Sequence, residues 1–409
     1  MKTIREIFRI GYGPSSSHTM GPRKAAELFL AAHPDAAKYQ AHLYGSLSAT
    51  GKGHLTDAAI IDVIPSVEIV WHNEFLPFHP NGMRFCAWDN QDNLLDDWTV
   101  YSVGGGALAE ENQEPGTENK DSQLSTLNSQ LSTDIYPLTR LSDIKEYCDK
   151  MGWDYWEYVE HYEGKEIWDY LREVWQVMRE AVERGLDHEG VLPGPLHLRR
   201  KAASYYIKVA GYKDNLRTRG LVFSYALAIS EENASGGKIV TAPTCGSCGV
   251  LPAVLYHTWR SRDFSETRIL HALATAGLIG NVVKENASIS GAEVGCQGEV
   301  GVACAMASGA VNQLFGGTLA QIEYAAEMGL EHHLGMTCDP VCGLVQIPCI
   351  ERNAFAAARA LDSNMYAAFS DGTHNVTFDR VVDVMKQTGH DLPSLYKETS
   401  QGGLAATYE

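Results

Sequence analysis

No stretch of the chain has the roughly 18 consecutive apolar residues that a membrane-spanning helix needs, so no membrane partner is expected. Residues 1–30 lack the apolar centre of an export signal, because Arg5, Arg9, Arg23 and Lys24 interrupt every hydrophobic run. A cytoplasmic location is therefore expected. Basic residues are scarce, with 33 Lys and Arg against 51 Asp and Glu and a formal charge of −18. Such a balance repels phosphate backbones, which argues against nucleic acid as a partner. Nine cysteines form an odd set on a long chain without an export signal; they fit a reducing compartment better than a disulfide framework.

What is present reads as globular: 409 residues, 44% hydrophobic and 21% charged, long enough for two domains. Residues 1–108 mix short strand-like runs with turns. The runs 58–64 and 67–71 predict strands around Pro65-Ser66, and 21–32 predicts a helix with Pro22 in its first turn. This part should be an α+β domain. Residues 109–140 predict a linker holding a low-complexity insertion, where Gln-Leu-Ser-Thr occurs at 123–126 and again at 130–133. So polar a stretch buries too little apolar surface to offset the entropy of ordering it. From 141 to 409 apolar residues recur at helical spacing, as in Ile167, Leu171, Val174, Trp175 and Met178. The second domain should be an all-α helical bundle.

Seven of the nine cysteines lie between Cys245 and Cys349. Cys304 sits in a small-residue helix, and Cys86 and Cys148 lie far away in strand-like and helical settings; all three read as core packing. Cys296 is different, being Gly-flanked just before a helix, where a thiol ionises more readily. Cys338 and Cys349 occupy loops fixed by neighbouring prolines. Three loop cysteines in one helical domain suit an iron–sulfur cluster. By spacing alone Cys342 is an equally good ligand, and zinc competes on ligand type. Cys245-Gly-Ser-Cys248 admits a redox or zinc reading, but there is no second CxxC, and it reads as a tight helix start.

Ser15-Ser16-Ser17-His18-Thr19 runs into the predicted helix at Gly21, a setting that suits carboxylate binding as well as simple capping. The segments 13–22, 44–57, 79–83 and 101–106 resemble the N-terminal, or β, domain of the iron–sulfur L-serine dehydratases. The segments 230–244, 293–299, 338–349 and 397–405 are similar to its α domain. The resemblance runs nearly end to end and matches the single-chain form with fused domains. It implies a lyase turning L-serine into pyruvate and ammonia on a [4Fe–4S] cluster held by Cys296, Cys338 and Cys349, which sets Cys342 aside. It implies His54 as the base for the α-proton, with His18 as the rival. Ser15, Ser16, Ser17 and Thr19 become candidate substrate anchors, with His79 and Asn81 beside them, and a homodimer is expected. Position 245 departs from the family, which usually has Asn there. The chain also ends in Ala-Ala-Thr-Tyr-Glu, without the terminal cysteine of many members. Pyridoxal-phosphate chemistry is disfavoured, since Lys238 precedes a strand-like Ile-Val-Thr and no phosphate cup. A sensing role is disfavoured by the lack of any DNA-reading motif.

Overall fold

The computed structural model describes residues 1–103, 105–111 and 134–407, so the low-complexity part of the expected linker lies outside the described residues. Strand β1 (Ile10–Tyr12) precedes the helix Gly21–Ala32. Strands β2 (Lys38–Leu43), β3 (Val67–Trp71), β4 (Gly82–Trp88), β5 (Leu94–Val103) and β6 (Ala107–Ala109) then form one sheet in the order β3-β2-β4-β5-β6. Alternation sets its inner face. Tyr39, Ala41, Leu43, Met83, Phe85, Ala87, Trp98 and Val100 turn inward onto Ala25, Ala26 and Phe29 of the helix Gly21–Ala32. An N-terminal α+β arrangement follows.

One expectation fails here. The run 58–64 is not a strand, because Thr56–Val63 is a helix. Its buried residues Thr56, Ala59 and Ile60 follow helical spacing, and Ile61 is 42% exposed. The reason is topological. β2 and β3 pair in parallel, and parallel neighbours need a crossover, which this helix supplies.

From residue 134 onward the chain is rich in helices, consistent with a second domain. The helix Val302–Leu314 runs through the middle of the core, and only Gln313 of its residues escapes burial. A helix apolar on every side is one that neighbours surround. Around it pack the helices Val250–Arg262, Glu266–Asn286, Leu319–Glu331 and Cys349–Ala368. Strand β7 (Lys238–Val240) is an exception to the all-helical expectation, and it pairs antiparallel with β1. Ile4, Ile7 and Phe8 belong to the same core as these helices. The two regions are therefore tied together at the start of the chain.

Candidate active site

Each region contributes one wide, π-type turn that opens into a helix. Ser16–Met20 leads into Gly21–Ala32, and the Met20 N–H bonds the Ser15 carbonyl at 3.1 Å. Gln297–Gly301 leads into Val302–Leu314, and the Gly301 N–H reaches the Cys296 carbonyl at 3.3 Å. Such turns are rare and gather at functional sites.

In the first turn the capping reading of the serines holds in part, since Ser15 Oγ accepts the His18 N–H at 3.1 Å. Both ring nitrogens of His18 have hydroxyl partners. Ser17 Oγ lies 2.9 Å from Nδ1, and Ser46 Oγ lies 3.0 Å from Nε2. Thr19 Oγ1 donates to the His54 carbonyl at 2.6 Å, so this hydroxyl fixes the His54 loop. The His54 ring stands edge-on to that of His18, with centroids 4.5 Å apart. Both His54 ring nitrogens are buried without a hydrogen-bond partner. Burial pushes this imidazole down to about 4, so it is neutral at pH 7 with its lone pair free. Burial, and then the neighbouring His54, also push His18 well below the usual histidine range.

The His54 loop reaches the second region through Gly53. A Cβ there would lie 2.8 Å from the Gly343 carbonyl oxygen and 3.1 Å from that of Cys342, so only glycine permits the approach. Across this junction Cys296, Cys338 and Cys349 line one cavity together with Ser15, His54, Glu299 and Glu398. Cys342 does not line it; its side chain is exposed, and its backbone is left-handed at φ 56°. Leu55, Glu398 and Ser400 share that left-handed conformation, at φ 57°, 58° and 55°. Such non-glycine residues are strained, and strain gathers at functional sites.

The thiols differ in kind. Burial pushes Cys148 and Cys304 up to about 12, as expected for packing residues. Cys296 is pulled down to about 6, first by a hydrogen bond from Cys338 and then by the Arg352 guanidinium, against the opposing pull of burial. Cys338 is correspondingly raised by that bond and by burial, and burial raises Cys349. Arg352 donates to the Thr337 carbonyl at 2.7 Å and to Asp339 Oδ1 at 3.1 Å, which holds the Cys338 loop. Donor atoms of Cys296, Glu299 and Cys338 lie within 4.8 Å of one another, as do those of His18, His54 and Glu398. Three converging thiols, one of them made easier to ionise, fit an iron–sulfur cluster, whose irons take thiolate ligands. The Cys245 and Cys248 thiols are fully buried, with Cys245 Sγ 3.3 Å from Met20 Sδ, and they open the helix Val250–Arg262.

Profiles of known families agree with this joining of two regions. The serine dehydratase beta-chain profile matches residues 3–64 and 61–113, and the alpha-chain profile matches 97–405. The chain belongs to the serine dehydratase family. It is 41% identical to L-serine dehydratase TdcG of Escherichia coli (strain K12), over 98% of each chain. It is 38% identical to the L-serine dehydratase of Haemophilus influenzae over 99% of each, and 35% identical to that of Helicobacter pylori over 99% of this chain and 98% of the relative.

In this serine dehydratase His79 and Asn81 are buried but do not line the cavity. His79 Nε2 lies 3.3 Å from Glu293 Oε1, and its Nδ1 accepts the Asn81 N–H at 3.1 Å. Asn81 Nδ2 donates to the Ser102 carbonyl at 3.2 Å. Ser16 and Ser17 are buried but do not line the cavity. Two carboxyls that do line it, Glu299 and Glu398, were not singled out in the sequence, although both lie inside the quoted motifs 293–299 and 397–405. Glu398 Oε1 lies 3.6 Å from His18 Nδ1, and burial, then Cys296, push this carboxyl up to about 8. The Glu398 N–H bonds the Cys338 carbonyl at 2.8 Å, which pins the C-terminal segment onto the cysteine loop. Glu299 accepts from Thr244 Oγ1 at 2.8 Å, and burial raises its carboxyl well above the usual range.

Proposed function

We propose that this chain is a carbon–nitrogen lyase that converts L-serine to pyruvate and ammonia, with Cys296, Cys338 and Cys349 holding a [4Fe–4S] cluster. When bound with three protein ligands, such a cluster supplies an open iron that acts as a Lewis acid toward the substrate hydroxyl. The observation that carries the reading is the meeting of three thiols with an unpartnered buried imidazole in one cavity. His54 takes the α-proton at a free ring nitrogen. His18 is the weaker choice because hydroxyls already occupy both of its nitrogens.

Ser15 Oγ, at the start of the helical turn, anchors the substrate carboxylate, assisted by the turn's backbone. Ser17 and Ser46 orient His18, and Thr19 sets the His54 loop by its bond to the His54 carbonyl. The α-proton and the β-hydroxyl leave as water. The resulting aminoacrylate tautomerises to an imine, which water hydrolyses to pyruvate and ammonia. Close packing of the two regions at Gly53 holds the His54 loop against the Cys342–Gly343 turn. The test is anaerobic purification followed by a pyruvate assay with serine and analysis of iron and sulfide. About four irons per chain, with activity lost in air and restored by iron and reductant, is the expected result. Full activity in iron-free protein would overturn the cluster assignment.

A further inference from the structure

A second cavity, of about 470 Å³, lies on the seam between the sheet region and the helical region, apart from the cysteine site. Its size falls within the roughly 300–1,000 Å³ of small-molecule sites. Its apolar lining comes from Val103 of β5, Leu108 of the edge strand β6 and Ile289 of the helical region. Lys2, Arg5, Arg9, Lys24 and Lys284 line it too, a concentration of positive charge on a chain whose formal charge is −18.

The carboxylates around it do not cancel this charge. Glu6 is committed to Lys284 and lies 3.8 Å from Arg9. Glu293 also lines the cavity, but it is engaged by His79 at 3.3 Å and by the Ser288 hydroxyl. Glu285 is exposed. Lys2 and Lys24 form no ion pair among the described residues, and both are half-buried. Two unpaired lysines and several apolar side chains lining one cavity match a ligand with anionic oxygens on a short carbon skeleton.

We infer that this seam cavity is a binding site for a small organic carboxylate, gripped by Lys2 and Lys24, separate from the catalytic cavity. The inference does not depend on the proposed reaction, because none of these residues lines the cysteine site.

The test is calorimetry on the anaerobically purified holoenzyme, titrated with succinate, pyruvate or inorganic phosphate at constant ionic strength. The parent protein should bind succinate or pyruvate. Lys24→Gln and Lys2→Gln should each weaken that binding at least tenfold, while Lys24→Arg restores most of it. Ser15→Ala, which alters the catalytic cavity, should leave it unchanged. No binding by the parent up to about 10 mM would overturn the inference. So would loss of binding in Ser15→Ala with retention in Lys24→Gln, which would put the carboxylate in the catalytic cavity. Phosphate bound as tightly as the carboxylates would overturn the ligand class.

Discussion

Replacing His54 with leucine separates a working histidine from a packing one. The imidazole is buried with no partner on either nitrogen. An unsatisfied buried polar group costs about 1–3 kcal/mol. A leucine of similar volume removes that cost and adds a repacking penalty below about 1.5 kcal/mol. At pH 7 the variant should therefore be as stable as the parent, or more stable by about 1 kcal/mol.

The difference should widen in acid. Below its ordinary pKa of 6.5 the unfolded imidazole takes up a proton, whereas the folded one, held down to about 4, does not. The unfolded state then binds more protons, so the parent loses stability as the pH falls from 6.5 toward 4, and the effect is absent above 6.5. At pH 5 the loss is about 2 kcal/mol, and His54→Leu escapes it. Turnover of serine should meanwhile fall at least about a hundredfold, as for removal of a positioned base. The assays are pyruvate formation and anaerobic unfolding midpoints at pH 7 and pH 5. A variant with near-parent turnover, or one destabilised by more than about 2 kcal/mol at pH 7, would show that His54 serves packing and not chemistry.

His257 provides the matched control. Burial, then Arg262, hold it down to about 4, so His257→Leu should flatten the same acid slope in the unfolding midpoint without touching turnover. Cys296→Ser, Cys338→Ser and Cys349→Ser should each lose iron and activity, while the exposed Cys342 and the helix-buried Cys304 tolerate serine; iron analysis with a pyruvate assay decides. Ser15→Ala should chiefly raise KM, whereas Thr19→Val, which frees the His54 carbonyl, should lower kcat; steady-state kinetics of the two variants checks the split. Gly53→Ala meets the Gly343 carbonyl oxygen at 2.8 Å and should cost about 1–3 kcal/mol together with activity, read from melting and turnover.

Much of this was legible in the residues. Helical spacing carries far in the chain, and the helix at Val302–Leu314 with Cys304 packed inside it follows from local context, whereas spacing alone leaves Cys342 level with Cys338 and Cys349 and only the family resemblance sets it aside. The run 58–64 misled because a short apolar segment has no period long enough to separate strand from helix, and only the parallel pairing of β2 with β3 decides. β7 is three residues long, and its partner lies more than two hundred positions away, a pairing that no local window reports. Glu299 and Glu398 were invisible for another reason. A glutamate in a sequence reads as solvated, and burial is set by the fold around it. The same holds for the hydroxyl partners that distinguish His18 from His54.

The pairing of β1 with β7 has a consequence for how such a chain is divided or recombined. The polypeptide starts inside the helical body, leaves it to build the sheet, and returns, so the sheet region is topologically an insertion and not a leading module. A gene junction placed in the segment after residue 111 would give the helical half a core without Ile4, Ile7 and Phe8 and would leave β7 without its partner. A junction that respects the packing falls at two points, one just after Tyr12 and one after residue 111, so that residues 1–12 always travel with the helices.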